Sequence, residues 1–382
     1  MISLIATAAF GLEAVVKREV IALGFSDVKC LDGKVEFSPV EGSSLHEAIA
    51  RSNLWLRSAD RVLLKLGEFT ATTFDNLFEQ TKALPWEEWI PVDGKFTVTG
   101  KSVRSGLFSV PDVQSIVKKA VVEKLRQTYN VEWFKETGAE YTIQVALLKD
   151  VATLTIDTTG AGNGLHKRGY RAKATRAPMK ETMAAALIEL TRYGEYAARS
   201  SGAKPFLDPC CGSGTLPIEA ALIAKNIAPG LARKFAAEQW TTIEPKIWKE
   251  ARSAAYGAIR TEVEPIIHAA DKDPSAVELA KANAELAGVD DCIVFENRQV
   301  SQTVLPAEAG ISIINPPYGE RLGQIKEAEA LYAELGNLFN PTKWSVYVIT
   351  PDEFFETAYK KKARAKRKLF NGMIKTDYYQ YF

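Results

Sequence analysis

Four residues, Asn315, Pro316, Pro317 and Tyr318, end an apolar run in the stretch SIINPPYG. Two successive prolines stop ladder pairing, so the strand closes onto a stiff loop that carries an amide and an aromatic ring. Those parts suit an amino group attached to a flat ring. Such a nitrogen is conjugated and a weak nucleophile. Carbon transfer to it is an in-line displacement in which orientation carries much of the rate. The Asn315 side-chain oxygen and the Pro316 carbonyl can accept its two N–H bonds. They would aim the lone pair and stabilise the positive charge that develops on nitrogen. Pro317 stiffens the loop, and Tyr318 offers a flat surface to a base taken out of its stack. No strong general base is needed, because the nitrogen becomes acidic as it is alkylated.

A second cluster lies upstream. DPCCGSGT, Asp208 to Thr215, follows a short apolar run and opens a helical pattern. Ligands of open α/β sheets bind at such strand ends. Gly212 and Gly214 permit a tight turn and close approach of backbone to ligand. Pro217 stands where a dinucleotide fingerprint wants Gly or Ala, and the Lys-Ser/Thr of a phosphate-binding loop is missing, so a pyrophosphate is disfavoured. A cationic ligand fits better: Asp208 can face an ammonium or a sulfonium, and Asp271, at the next strand end, can accept from two ribose hydroxyls. That describes S-adenosylmethionine. Pro209, Cys210 and Thr215 complete the candidate cofactor loop. Neither Cys210 nor Cys211 has a nearby base in sequence, so both are read as packing residues.

The elements that must position these residues fall in two groups. Up to about residue 160 the pattern is α+β. SLIATA, KVEFSP, RVLLKLGEF, KFTVTGKSV and two runs around Lys149-Asp150 read as strands; GLEAVVKREVIALG, LHEAIARSNLWLRSA and 111–126 read as helices. Beyond it, strand–loop–helix units alternate, which implies a mostly parallel sheet with helices on both faces. In PIIHAADKDPSAVELAKANAELAGV, Asp273 suits a helix cap, Pro274 its first position and Gly288 its end. Asn371-Gly372 marks a final hairpin. An antiparallel hairpin closing a parallel sheet fits a class I, Rossmann-like methyltransferase sheet. The expected division is a region over 1–160 and a catalytic domain over 161–382. Residues 229–265 are expected to add helices without chemistry.

The chain has 382 residues and a net charge of +1, so binding to a polyanion must come from local clusters. Four cysteines without CxxC spacing and three scattered histidines give no metal-site pattern. Reduced thiols in a cytoplasmic protein is the simple expectation. The N-terminal stretch MISLIATAAFGLEAVVKREV reads as a strand and a helix rather than a signal peptide. No run approaches the ~18 apolar residues of a membrane span.

DPCCGSGT followed by NPPYGERLG resembles motifs I and IV of class I amino-methyltransferases. LHKRGYR and APMKETMAAAL before the first motif, IAPGLARKF after it and the closing KRKLFNGMIKTDYYQY resemble the THUMP-domain RNA guanine-N2 methyltransferases. RSNLWLRSADRVLLKLGEFTATTF resembles their ferredoxin-like segment, about 1–60, leading into THUMP, about 45–157. The resemblance spans nearly the whole chain. It implies S-adenosylmethionine-dependent methylation of a guanine amino group in 23S ribosomal RNA, with structured RNA as partner. It also implies a contact from the adenine amino group to the position after the third strand of the sheet. An Asp is common there in the family; Gln302 is assigned to it here.

Basic clusters are candidate RNA contacts. Between Thr158 and Lys180 the chain holds Lys167, Arg168, Arg171 and Lys173 and no acid. This segment can hold phosphates, close over the cofactor or be a solvated linker. Lys361, Arg364 and Lys366 lie in a basic run expected on the ligand-facing side of the sheet. Rival readings keep the site but change its use: an adenine amino group, a tRNA guanine or a glutamine side chain as acceptor, or an inactive RNA-binding assembly factor. A nicotinamide dehydrogenase is disfavoured by Pro217 and the terminal hairpin.

Overall fold

The computed structural model describes residues 2–171, 179–197, 203–264, 266–318, 322–372 and 374–382. The chain divides into two compact units. The first comprises Met1–Ala8, Lys17–Leu165 and Arg233–Ala254; the second comprises Ala9–Val16, His166–Ala232 and Ala255–Phe382.

The first unit is built on seven strands: β1 (Ser3–Ala8), β2 (Ser26–Leu31), β3 (Lys34–Ser38), β4 (Ala59–Thr70), β5 (Lys95–Val103), β6 (Glu140–Leu148) and β7 (Val151–Asp157). Their order is β2-β3-β1-β4-β7-β6-β5, antiparallel except for β5 against β6. Strict alternation in β6, with Tyr141, Ile143, Val145 and Leu147 buried, fixes which face meets the core. The helix Leu45–Trp55 starts on a capping box, with Glu47 N–H donating to Ser44 Oγ and Ser44 N–H to Glu47 Oε2.

The segment Arg233–Ala254, expected inside the catalytic domain, belongs to this first unit. Trp240 is buried and its ring stacks on Tyr141 with centroids 4.9 Å apart. The N–H groups of Ala236 and Ala237 donate to the carbonyls of Thr159 and Thr158, just past β7. The expected extra helices are a 3-10 turn at Ala236–Gln239 and a helix at Pro245–Gly257.

The second unit holds β8 (Phe206–Asp208), β9 (Ile267–Asp271), β10 (Ile293–Asn297), β11 (Ile311–Ile314), β12 (Ser345–Thr350), β13 (Ala365–Asn371) and β14 (Ile374–Tyr381). The order is β10-β9-β8-β11-β12-β14-β13. The first five run parallel; β14 is antiparallel to both β12 and β13. The strand order reverses at β8, which is where ligands of such sheets bind. β11 is buried on both faces and so reads as an unbroken apolar run. One face carries Ile218, Ile313 and Tyr378, the other Ile314, Tyr332, Phe355 and Tyr379. Asp273 accepts from Ser275 N–H, Pro274 follows it, and Gly288 closes that helix at φ 67°. Asn371 pairs with Ile374 across the terminal hairpin.

Among the described residues, no helix is long and apolar enough to cross a membrane.

Candidate active site

Three parallel strands, β9, β8 and β11, deliver Asp271, Asp208 and Asn315 to the same carboxyl edge. Register sets Asp208 level with Ala269, and Leu207 level with Ser312. Ser312 adds a side-chain bond, donating to the Leu207 carbonyl at 2.8 Å.

The Gly-rich turn is held from several sides. Cys211 N–H donates to the Ala270 carbonyl and Gly214 N–H to the Cys211 carbonyl, each at 2.8 Å. Gly212 N–H donates to Asp271 Oδ2 at 2.9 Å, and Asp273 N–H to Asp271 Oδ1 at 3.0 Å. Each carboxylate oxygen keeps a further lone pair for a ligand hydroxyl. Gly214 caps the helix Thr215–Ala224 at φ +82°, and a Cβ there would meet the Ala280 Cβ at 3.0 Å. Gly212 also has positive φ, but a Cβ would point into open space. The turn thus presents bare backbone on one side and packs tightly on the other.

Asp208 is 1% exposed. It accepts from Cys210 N–H at 3.1 Å. Burial, reinforced by the negative charge of Asp271, pushes its carboxyl up to about 8, against the pull of that hydrogen bond. A positively charged ligand group would favour its ionised form. Burial likewise pushes the thiols of Cys210 and Cys211 far above the usual range, which leaves no reactive thiolate in the loop. Pro209 and Thr215 are buried.

At the NPPY loop, the Asn315 Oδ1 is buried without a hydrogen-bond partner among the described residues. An orphaned buried acceptor carries a free-energy cost of about 1–3 kcal/mol and is a place where a donor belongs. Pro316 is buried, Pro317 exposed and Tyr318 half-buried. Behind the loop, Tyr332 is fully buried and its hydroxyl lies 3.2 Å from Thr350 Oγ1.

The basic candidates separate. Arg168 is 3% exposed and pairs with Glu219, which also accepts from Tyr170 OH at 3.0 Å. This arginine neutralises a buried acid instead of meeting RNA. Arg171 reaches Thr215 Oγ1 at 2.6 Å, the Met179 carbonyl at 3.1 Å and the Glu181 carboxylate at 3.4 Å. It ties the Gly-rich turn to the helix Glu181–Thr191 and is likewise withdrawn from RNA. Lys167 is exposed, and Lys173 lies outside the described residues.

Register also corrects the C-terminal run. Ala365 pairs with Gln380, which pairs with Tyr347 near the start of β12; Lys368 pairs with Asp377, which pairs with Thr350 at its end. Lys361 and Arg364 therefore sit at the edge opposite Asn315, with Arg364 stacked on the Phe382 ring at 4.8 Å. Lys366 pairs with Glu356 and covers the Tyr379 ring.

Gln302 is exposed, and its side-chain oxygen caps a 3-10 turn by accepting from Gln299 N–H at 3.4 Å. That carbonyl has a local role, whereas the reading from sequence assigned it to the cofactor. Sequence reading misses Asn283, which is 1% exposed and donates to the Ser213 carbonyl at 2.9 Å. The available signal is an amide among Val277, Ala280 and Ala284 on the buried face of its helix.

Residues 168–380 match the family described as RMKL-like, methyltransferase domain; 71–157 match the THUMP domain and 3–63 the RlmL ferredoxin-like domain. "Putative RNA methyltransferase YpsC" of Bacillus subtilis is 51% identical, over 100% of this chain and 96% of that one. "Ribosomal RNA large subunit methyltransferase K/L" of Syntrophotalea carbinolica is 33% identical over 98% of this chain. The chain spans about half the length of that relative, 52%. A "predicted N6-adenine-specific DNA methylase" from Listeria monocytogenes superposes with TM-score 0.91 at 49% identity, covering 100% and 96% of the two chains. SMU.472, "a putative methyltransferase complexed with SAH", superposes with TM-score 0.89 at 42% identity, covering 100% and 97%.

Proposed function

From the premise that this chain belongs to the RMKL-like methyltransferase family, carrying a THUMP domain and a ferredoxin-like domain, we propose that it methylates the exocyclic N2 of a guanine in large-subunit ribosomal RNA. The cofactor is S-adenosylmethionine, which supplies an electrophilic methyl group on a sulfonium when bound. A buried amide oxygen without a donor among the described residues, Asn315 Oδ1 at the carboxyl edge beside Asp208, is the observation that carries this reading.

The residues fit that cofactor. Asp208 is a desolvated carboxyl group whose ionised form a bound cation would favour. Asp271 has lone pairs to spare for ribose hydroxyls. The open side of Gly212 lets a ligand lie on backbone. The SAH in the SMU.472 structure supports the same choice.

On the acceptor side, Asn315 Oδ1 and the Pro316 carbonyl take the two N–H bonds of the amino group. The lone pair is then fixed in direction, and charge growing on nitrogen meets two oxygen dipoles. Tyr318 stacks on the base. The relatives named for the large ribosomal subunit support ribosomal RNA as substrate, and the THUMP domain supports RNA.

Adenine N6 is the second reading, favoured by the name that the Listeria protein carries. One experiment separates them: purified protein, tritiated S-adenosylmethionine and large-subunit rRNA transcribed without modification, followed by nucleoside mass spectrometry. N2-methylguanosine is expected. N6-methyladenosine in its place overturns the guanine assignment.

A further inference from the structure

Phe354 is 72% exposed, yet the turn that presents it is held by hydrogen bonds on both sides. Its N–H donates to Asp352 Oδ1 at 2.8 Å, and the Asp352 carbonyl accepts from Tyr379 OH at 3.0 Å. Asp352 N–H donates in turn to Thr350 Oγ1 at the end of β12. The next residue, Phe355, is fully buried against Tyr332, Tyr359 and Tyr379. One ring of the pair anchors the turn and the other is held out in water at the carboxyl edge. It stands one strand away from Asn315.

The terminal hairpin continues this edge. Thr350 is level with Asp377, so Ile374 and Asn371 lie three residues past the end of β12, about 10 Å of overhang. Cross-strand partners share a face. Lys366, Lys368 and Phe370 therefore stand on the face of Lys375, Asp377 and Tyr379. Tyr379 packs on Phe355, so this is also the face of Tyr332 and of the helix Leu322–Phe339 that follows the NPPY loop. Lys366 is tied to Glu356. Lys368 and Lys375 are exposed diagonal neighbours, with no ion pair among the described residues. The acids nearby are Asp377 opposite Lys368, and Asp352, Glu353 and Glu356 around Phe354, of which Glu356 is paired with Lys366. Phe370 is 38% exposed and meets Phe10 edge-on at 6.1 Å.

We propose that Phe354, Phe370, Lys368 and Lys375 form a strip that takes the unpaired nucleotides next to the target base, with bases on the rings and phosphates on the ammonium groups. Stacking tolerates any base because each has a π-face, and lysines spaced along the hairpin match a backbone and not a single anion. The strip begins one strand away from Asn315, on the same carboxyl edge of the sheet. This inference rests on the reading of the site as an RNA methyltransferase.

The test uses full-length protein and unmodified large-subunit rRNA transcript. F354A and the double variant K368A/K375A should each raise KM for RNA about tenfold with kcat nearly unchanged. SAH affinity, measured by calorimetry, should stay at the wild-type value. F354W should restore KM and F354L should not, since leucine keeps the apolar contact and loses the stack. The double variant should lower the slope of log K against log salt by about 1.4. Unchanged KM and slope in variants that still bind SAH overturn the strip and leave the methyltransferase reading intact; so does equal rescue by F354L, which shows that no ring stacking is involved. Wild-type protein that transfers no methyl group to the transcript overturns the functional reading and the strip together.

Discussion

Gly212 N–H donates to Asp271 Oδ2 at 2.9 Å, and this bond couples the turn after β8 to the end of β9. The same carboxylate accepts from Asp273 N–H at the start of the next helix. D271A removes both acceptors together with the proposed ribose contact. SAH affinity should fall about 100-fold by calorimetry, while D271N, which keeps one carbonyl oxygen, should fall between the two. Wild-type affinity in D271A would refute the assignment.

Asn315 contributes a buried acceptor with no partner among the described residues. N315A should lower kcat about 100-fold or more and leave SAH binding unchanged. Single-turnover methyl transfer measured beside calorimetry reads both quantities. Undiminished turnover removes the central role given to this loop.

Burial pushes the Asp208 carboxyl up to about 8, well above the range of a carboxyl in an unfolded chain. Between about pH 4 and pH 8 the folded protein holds a proton that the unfolded chain has lost. Stability from this group is therefore present at low pH and declines as pH rises through that window. D208N should flatten this part of the Tm-against-pH curve and raise Tm at pH 8.5. Binding of the proposed cationic cofactor should show the opposite trend, since a cation selects the carboxylate: wild-type affinity should rise from pH 6 to pH 8.5, and D208N should bind weakly at every pH. A parallel pH response in wild type and D208N would exclude Asp208 as the titrating group.

Arg168 neutralises Glu219 in the core of the second unit. R168A leaves a buried acid without its cation and should cost about 3–5 kcal/mol. Urea unfolding measures this. In the fraction that remains folded, the salt dependence of RNA binding should match wild type; a reduced slope would return Arg168 to the RNA surface.

Trp240 covers Tyr141 in the first unit. W240A should cost about 3–5 kcal/mol and lower Tm by several degrees. A change within about 0.5 kcal/mol, the size of an ordinary surface substitution, would mean that the insertion is not part of that core.

Much of this architecture is legible in the sequence because local chemistry and packing agree. Asp273-Pro274 and Gly288 mark both ends of one helix, Asn371-Gly372 marks the hairpin, and the doubly buried β11 reads as an apolar run. β2 is missed because SDVKCL is almost wholly exposed and shows no alternation. Charge is visible in sequence but burial is not, so Arg168 and Arg171 read as free cations. Lys361 and Arg364 mislead for a different reason: a basic run has no direction until the register of β13 against β14 and β12 fixes which end faces the site. The distinction between Asn315 as a loop residue and Asn315 as an orphaned acceptor exists only in three dimensions.

The return of Arg233–Ala254 to the first unit has a consequence for synthesis. A ribosome that has released residues 1–165 has not yet made the tryptophan that covers Tyr141. At roughly 5–20 residues per second, the N-terminal core waits several seconds more for its lid. During that wait β8 and its glycine turn emerge. The two units thus mature in overlap, and a gene fragment stopped at residue 160 encodes an unfinished core.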